Sequence, residues 1–304
     1  MREPVRELKI VQRIRDLAES GHRDRRITRG IGDDSAVFRP HANEDLVFTS
    51  DFVLEGRHFT LQTHTPGDIG YLALARSLSD LAAMGAEPVF CIVSLAVPGG
   101  HASGWVGQFY RGLLRLADKY KMTLAGGDLA RFDRVVSDVM CCGRVPRGEA
   151  ILRSGAKPGD GIYVTGELGG SAHGFAIRRG KAWGRLLRPQ PRIEAGVALR
   201  RLGVSAGMDI SDGLSLDLHR LCIESRVSAE LEFNLPIAAG ASVEEALHGG
   251  EDYELLFTAS PGTRVPGRIA GLSVSQIGVI TRGRIGQVRF GGRVLKSKGF
   301  DHFS

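Results

Sequence analysis

Residues 5–20 place Leu8, Val11, Ile14 and Ala18 on one stripe, the spacing of an amphipathic helix, and Gly21 supplies its stop. Leu46–Ser50 alternates as a strand that ends at Asp51. Thr65-Pro66 opens a helix expected to run to about Met84, with Gly85 ending it and Pro88 just beyond. Residues 89–97 are apolar and β-branched, the composition of a buried strand. From 103 to 120, Val106, Phe109, Tyr110, Leu113 and Ala117 recur at helical spacing. Met122–Ala125 predicts a short strand running into Gly126-Gly127-Asp128, and Val135–Val145 a longer one.

The stretch 146–160 is rich in Gly, Pro and charge and marks a domain boundary, giving domains 1–147 and 148–304. Beyond it, Ile162–Thr165 predicts a strand, 166–170 a turn, and Pro191–Leu202 a helix stopped by Gly203. Asp209-Ile210-Ser211-Asp212-Gly213 opens a helix carrying Leu214, Leu218 and Leu221. Gly249-Gly250-Glu251-Asp252-Tyr253 precedes the strand Glu254–Thr258. The remainder reads as short strands separated by Gly. Mixed elements in both halves predict an α/β (α+β) protein.

The 304 residues suffice for two hydrophobic cores, and 42% apolar with 24% charged content excludes wholesale disorder. No apolar run reaches the ~20 residues of a membrane span. The N-terminus shows no signal-peptide pattern, and four cysteines without CxxC spacing suit a reducing cytoplasm. A net charge of +6 invites a nucleic-acid reading. The basic residues are mostly scattered arginine, however, with lysine only at 9, 119, 121, 157, 181, 296 and 298. They form no basic stripe interleaved with aromatics, so nucleic acid is not the expected partner.

Glycine changes the picture more. There are 41, nearly twice the usual ~7%, and many stand beside acids. Asp33-Asp34, Asp51 after Thr49-Ser50, Asp128 after two glycines, Asp209 with Asp212, and Glu251-Asp252 after two glycines all sit at predicted element ends. Asp80 joins them from a helix, on a face with Ala73, Ser77 and Met84. Any one of these could be an ordinary turn or helix cap. Together they are hard oxygen donors suited to Mg²⁺ shared with phosphates, and an acid late in a helix opposes the helix dipole unless a cation offsets it. A P-loop, a dinucleotide fingerprint, HExxH and G-x-S-x-G are absent.

The strings GIGDDSAV (30–37), TSDFVLEGRHF (49–59), LARSLSDLAAMGAEP (74–88), LAGGD (124–128), LRSGAKPGD (152–160), GMDISDGLSLDLHRL (207–221), GGEDYELLFT (249–258) and GFDHF (299–303) span nearly the whole chain. In this order they resemble the thiamine-monophosphate kinases of the aminoimidazole-ribonucleotide-synthetase-like superfamily. The resemblance implies ATP-dependent phosphorylation of thiamine monophosphate to thiamine diphosphate. It implies an N-terminal metal- and ATP-binding domain whose sheet pairs across a homodimer, and a C-terminal α+β domain closing the active site.

By motif position, Asp34, Thr49, Ser50, Asp51, Asp80, Asp128, Asp209 and Asp212 are expected as Mg²⁺ ligands. Tyr110, Gly127, Asp128, Arg153 and Ser211 are expected at ATP, and His58, Glu251 and Phe300 at thiamine monophosphate. Asp51, Asp128, Asp212 and Arg153 would carry the chemistry. A phosphate oxygen as acceptor is already anionic, so direct in-line transfer assisted by several Mg²⁺ needs no general base. The alternatives are another ATP-dependent ligase or synthetase of the superfamily, a metal-dependent phosphohydrolase, or a non-catalytic nucleotide-binding subunit. The selenide branch relies on an early reactive Cys, and this chain has none before residue 91.

Overall fold

The computed structural model describes residues 6–31, 35–101 and 104–299. The chain divides into two compact units. One comprises the residues up to Leu81 and from Glu87 to Arg147; the other comprises Ala82–Ala86 and everything from Gly148 onward.

The first unit contains α1 (Arg6–Ser20), β1 (Ile27–Arg29), β2 (Val37–Phe38), β3 (Glu44–Leu54), α2 (Pro66–Ala83), β4 (Glu87–Val97), α3 (Gly104–Lys119), β5 (Thr123–Arg131) and β6 (Val136–Pro146). Its main sheet has the order β3-β6-β4-β5. β6 runs antiparallel to both neighbours, whereas β4 and β5 are parallel and need α3 as their crossover. The α3 stripe read from the sequence is the buried one: Val106, Phe109, Tyr110, Leu113 and Ala117 are inside, with Arg111 and Arg115 outside. α2 is apolar nearly all round, and Ile69, Leu72, Leu74, Leu78 and Leu81 are all buried. Ser77 Oγ on this helix donates to the Val139 carbonyl at 2.7 Å, which fixes α2 against one face of the sheet. The other face is partly covered by the β1–β2 ribbon, where the Phe38 ring lies 5.3 Å from Phe90. Farther along that face, Phe48 is 59% and Phe52 57% exposed.

Two strands outrun their sequence boundaries. β3 continues through Asp51 to Leu54 because β6 pairs with it residue for residue, Asp51 opposite Val139. β5 continues through the double glycine to Arg131, because β4 carries the register past a bulge at Cys91/Ile92. Asp51 and Asp128 therefore stand within strands, not at their ends. The adjacent Cys141 and Cys142 face opposite sides of β6, and all four cysteines are buried and unpaired with one another.

The second unit contains β7 (Gly161–Thr165), α4 (Gly170–Ile177), α5 (Gly180–Leu187), α6 (Ile193–Leu202), β8 (Ala206–Asp209), α7 (Leu214–Glu224), β9 (Ser228–Leu231), α8 (Val243–His248) and β10 (Leu255–Ala259). It continues with β11 (Arg268–Ile269), β12 (Leu272–Thr281), β13 (Val288–Phe290) and β14 (Arg293–Val294). The sheet order is β14-β13-β9-β12-β7-β10-β8, with β11 paired to β12. Its pairs are antiparallel except β9 with β13. Ile162, Val164, Met208, Leu218, Leu221, Ile277 and Ile280 form its core. Both units mix strands and helices, as the sequence pattern predicts.

Phe109 is the largest fully buried side chain of α3; Trp105 stacks on it, and Tyr110 meets it edge-on at 5.4 Å. Phe109→Ala is expected to remove about 3–5 kcal/mol of stability through cavity formation. Denaturant unfolding would show this as a lower midpoint at unchanged slope.

Candidate active site

Along β3, alternate side chains face opposite sides of the sheet, and this separates the neighbouring oxygens of Thr49, Ser50 and Asp51. Thr49 and Asp51 face α2, where the Thr49 hydroxyl donates to Asp80 Oδ2. Ser50 turns the other way and donates to Asp138 Oδ1 at 2.5 Å. Thr49, Asp51 and Asp80 thus gather at the α2 face, an oxygen-only donor set. Arg76, one turn before Asp80, places Nη2 3.9 Å from Asp51 Oδ1.

Burial pushes the Asp51 carboxyl up to about 6, and the Asp80 charge adds to the shift; Arg76 opposes both. Two carboxylates held together with one distant guanidinium leave an excess of negative charge, the situation a hard divalent cation relieves. Among the described residues no group of three His, Cys, Asp or Glu side chains is arranged to hold an ion unaided. A donor set of hydroxyls and paired carboxylates fits Mg²⁺, which keeps several waters and takes its remaining oxygens from substrate phosphates.

Asp128 lies on β5 in register with Ser94, whose other neighbour is Asp138. Asp128 is exposed; burial, then Cys91 and last the Asp128 charge raise the Tyr110 hydroxyl above its ordinary pKa. Tyr110 itself is buried in α3. The glycine before Asp128 has a steric reason: a Cβ on Gly127 would stand 2.2 Å from the Val93 carbonyl oxygen. His58 follows β3, and its Nδ1 accepts the Leu54 N–H at 3.0 Å, which puts the proton of the neutral ring on Nε2.

In the second unit, the loop after β8 and the loop before β10 are joined by backbone hydrogen bonds. Glu251 N–H donates to the Ser211 carbonyl at 2.7 Å, Tyr253 N–H to Ile210 at 2.9 Å, and Ile210 N–H to Glu254 at 2.8 Å. Ser211 and Glu251 are therefore neighbours. Gly250 permits this approach, since a Cβ there would stand 2.7 Å from the Ser211 carbonyl oxygen. Glu251 and Tyr253 adopt left-handed backbone with φ of 64° and 52°. Asp252 between them is buried and accepts the Gly169 and Ser171 N–H groups at the start of α4. The buried Glu254 accepts Thr165 Oγ1 at 2.7 Å, Arg192 Nε at 2.9 Å and Arg185 Nη2 at 3.2 Å.

Asp209 is buried at the end of β8, and the Asp212 carboxylate accepts Arg220 Nη1 at 2.5 Å. The Arg153 side chain is exposed, with its carbonyl held by Ser225 Oγ at 2.8 Å. Asp34 and Phe300, with Asp33, lie outside the described residues.

Sequence reasoning missed Asp138, Arg76, Asp217 and Arg220. The last two carried a readable signal, an acid in the first turn of α7 followed three residues later by a cation. Arg76 and Asp80 likewise sit four apart on α2. Asp138 carried none, because only strand pairing brings it opposite β3.

The AIR synthase related protein N-terminal domain family matches residues 32–145, and the corresponding C-terminal domain family matches 157–290. Thiamine-monophosphate kinase of Escherichia coli (strain K12) is 38% identical over 325 residues, covering 98% of each chain. The crystal structure of thiamine-monophosphate kinase from Stenotrophomonas maltophilia K279a superposes with a TM-score of 0.84 at 36% identity, covering 95% of this chain and 98% of that one. AaThiL complexed with AMPPCP and TMP superposes with a TM-score of 0.78 at 30% identity, covering 100% and 99% respectively.

Because Asp51 sits above its ordinary 3.8, its ionised form costs the metal-free protein stability. That cost is absent below the unfolded value, grows as pH rises toward about 6 and is complete above it. Asp51→Asn is therefore expected to gain on the parent protein as pH rises from about 4 to about 6. Thermal melts of both proteins in a chelator check this; a stability difference independent of pH would contradict it.

Proposed function

We propose that this chain, which belongs to the thiamine-monophosphate kinase family of AIR synthase related proteins, transfers the terminal phosphoryl group of ATP to thiamine monophosphate, giving thiamine diphosphate and ADP. The observation that carries the reading within this molecule is the Thr49–Asp51–Asp80 grouping, oxygen donors whose mutual repulsion calls for a cation. It is joined by the Ser211–Glu251 backbone link, which makes neighbours of an expected nucleotide contact and an expected thiamine monophosphate contact.

The acceptor oxygen of a phosphate monoester is anionic at neutral pH, so the chain needs no base to activate it. Its residues instead position two polyanions. Arg153 offers a bidentate cation to the nucleotide phosphates, and Tyr110, Gly127 and Ser211 line the nucleotide. His58, donating from Nε2, Glu251 and Phe300 orient thiamine monophosphate. Asp34, Thr49, Ser50, Asp51, Asp80, Asp128, Asp209 and Asp212 would hold Mg²⁺, which when bound offsets the repulsion between the phosphate groups. Among the described ones, Ser50 donates to Asp138, Asp51 faces Arg76 and Asp212 accepts Arg220. Phosphoryl transfer is direct and in line, with no phosphorylated enzyme residue. Residues 1–147 contribute Asp51, Asp80, Tyr110 and Asp128 to this set, and 148–304 contribute Arg153, Asp209, Ser211 and Asp212.

The open sheet face bearing Phe48 and Phe52 supports pairing with a second copy of the chain, since an apolar face of this kind is costly to leave in water. A cytoplasmic setting accords with four buried, unbridged cysteines. No helix among the described residues is long and apolar enough to cross a membrane.

ADP formation is expected to depend strictly on thiamine monophosphate. Equal ADP release without it would point to a phosphohydrolase, and none under either condition to a non-catalytic subunit. Asp51→Asn and Asp128→Asn should each lose about 10²–10³-fold in kcat while keeping the parent fold by circular dichroism. For the dimer, light scattering should report twice the chain mass for the parent and a single chain for Phe52→Glu; a parent protein of single-chain mass contradicts the pairing.

A further inference from the structure

On α7, directly after the Asp209-to-Gly213 loop, stands an acid outside the expected ligand set. Asp217 is fully buried. Its Oδ2 accepts the backbone N–H of Ser211 at 3.1 Å and that of Asp212 at 3.0 Å. Its Oδ1 accepts Arg220 Nη1 at 3.0 Å, and the same nitrogen donates to Asp212 Oδ2 at 2.5 Å. The three side chains close a ring. Asp217 holds the Asp212 backbone, and Arg220 holds the Asp212 carboxylate.

The ring contains one cation and two carboxylates, and its members differ in freedom. Asp217 has no exposed side-chain surface, whereas Arg220 is 38% and Asp212 24% exposed. A divalent cation arriving at Asp212 would meet a carboxylate whose oxygen already carries a guanidinium. Two cations on one carboxylate repel at short range, whether the ion takes Oδ1 alone or both oxygens, so its binding favours withdrawal of the guanidinium from Oδ2. That withdrawal has a moderate cost, because a half-exposed arginine is rehydrated as it withdraws and the bond to Asp217 can remain.

We propose that Arg220 is a positioning residue that neutralises Asp212 in the metal-free protein and is exchanged for the incoming divalent cation, with Asp217 as the fixed pivot. The inference rests on the reading of Asp212 as a metal ligand. Its consequence is a built-in competitor: Arg220 keeps the loop ordered and offsets the Asp212 charge before metal arrives, and lowers the affinity of this position for the bare ion.

The test uses the full chain without nucleotide and Mn²⁺ as the probe, with free Mn²⁺ read by electron paramagnetic resonance. Arg220→Gln is expected to bind Mn²⁺ about fivefold more tightly than the parent, the equivalent of about 1 kcal/mol for a partly exposed charge pair. Arg220→Lys keeps the charge but not the fork. It should tighten binding less, and it serves if the glutamine variant fails to fold. In an Asp212→Asn background, Arg220→Gln should change Mn²⁺ affinity no further. Unchanged or weaker Mn²⁺ binding by both Arg220 variants overturns the exchange and leaves Arg220 a structural strut. Asp212→Asn alone reports separately: if it does not weaken Mn²⁺ binding, the ligand reading itself falls, and the exchange with it.

Discussion

Like-charge repulsion that the fold does not let relax is the constraint on which this molecule turns. The β3–β6 ladder fixes the backbone of Asp51, and Asp80 stands on a helix whose Ser77 is tied to β6, so the two half-buried carboxylates are held on the same face. Proteins ordinarily avoid such pairs, because burying an ion without a partner costs several kcal/mol. Here Thr49 and Arg76 compensate only in part, and Asp51 rises to about 6. The rigid sheet maintains an electrostatic deficit that a hard cation can fill, which suits binding polyphosphate through metal.

The second unit resolves the same problem differently. Its acids are each given a protein partner: Asp252 the N–H groups that open α4, Glu254 two arginines and a threonine, and Asp212 and Asp217 a shared Arg220. These pairings hold the two loops that join through Ser211 and Glu251. The left-handed backbone at Glu251 and Tyr253 is kept there by the anchoring of Asp252 between them. In the second unit the paired acids hold geometry, and there too the pairing is incomplete: burial and the Asp212 charge push Asp217 up to about 6 beside a single shared guanidinium.

Much of the framework was legible in the chain. The stripes of α3 and α7 are long enough for the 3.6-residue period to speak, and burial follows them. α4 and α5 were not legible, because each has only eight residues, both contain glycine, and α4 carries no apolar stripe. The ends of β3 and β5 were misread for a different reason. A strand stops where its partner stops, and the partners β6 and β4 are set by topology and not by the local pattern.

For the site, the sequence by itself determined which chemistry the chain could support: oxygen donors in repeated acid-and-glycine strings, without a nucleophile-and-base pair or a thiolate cage. It placed glycine beside the acids, but only the fold shows why: the approach of Gly127 to Val93 and of Gly250 to Ser211 leaves no room for a side chain. Tertiary structure alone decided how those donors were divided. Pleating sent Thr49 and Ser50 to opposite faces, strand pairing added Asp138, and a turn of α7 brought Arg220 onto Asp212. Composition and spacing fix the kinds of group present, but a carboxylate's role depends on what stands within a few ångströms of it, and those neighbours come from distant parts of the chain.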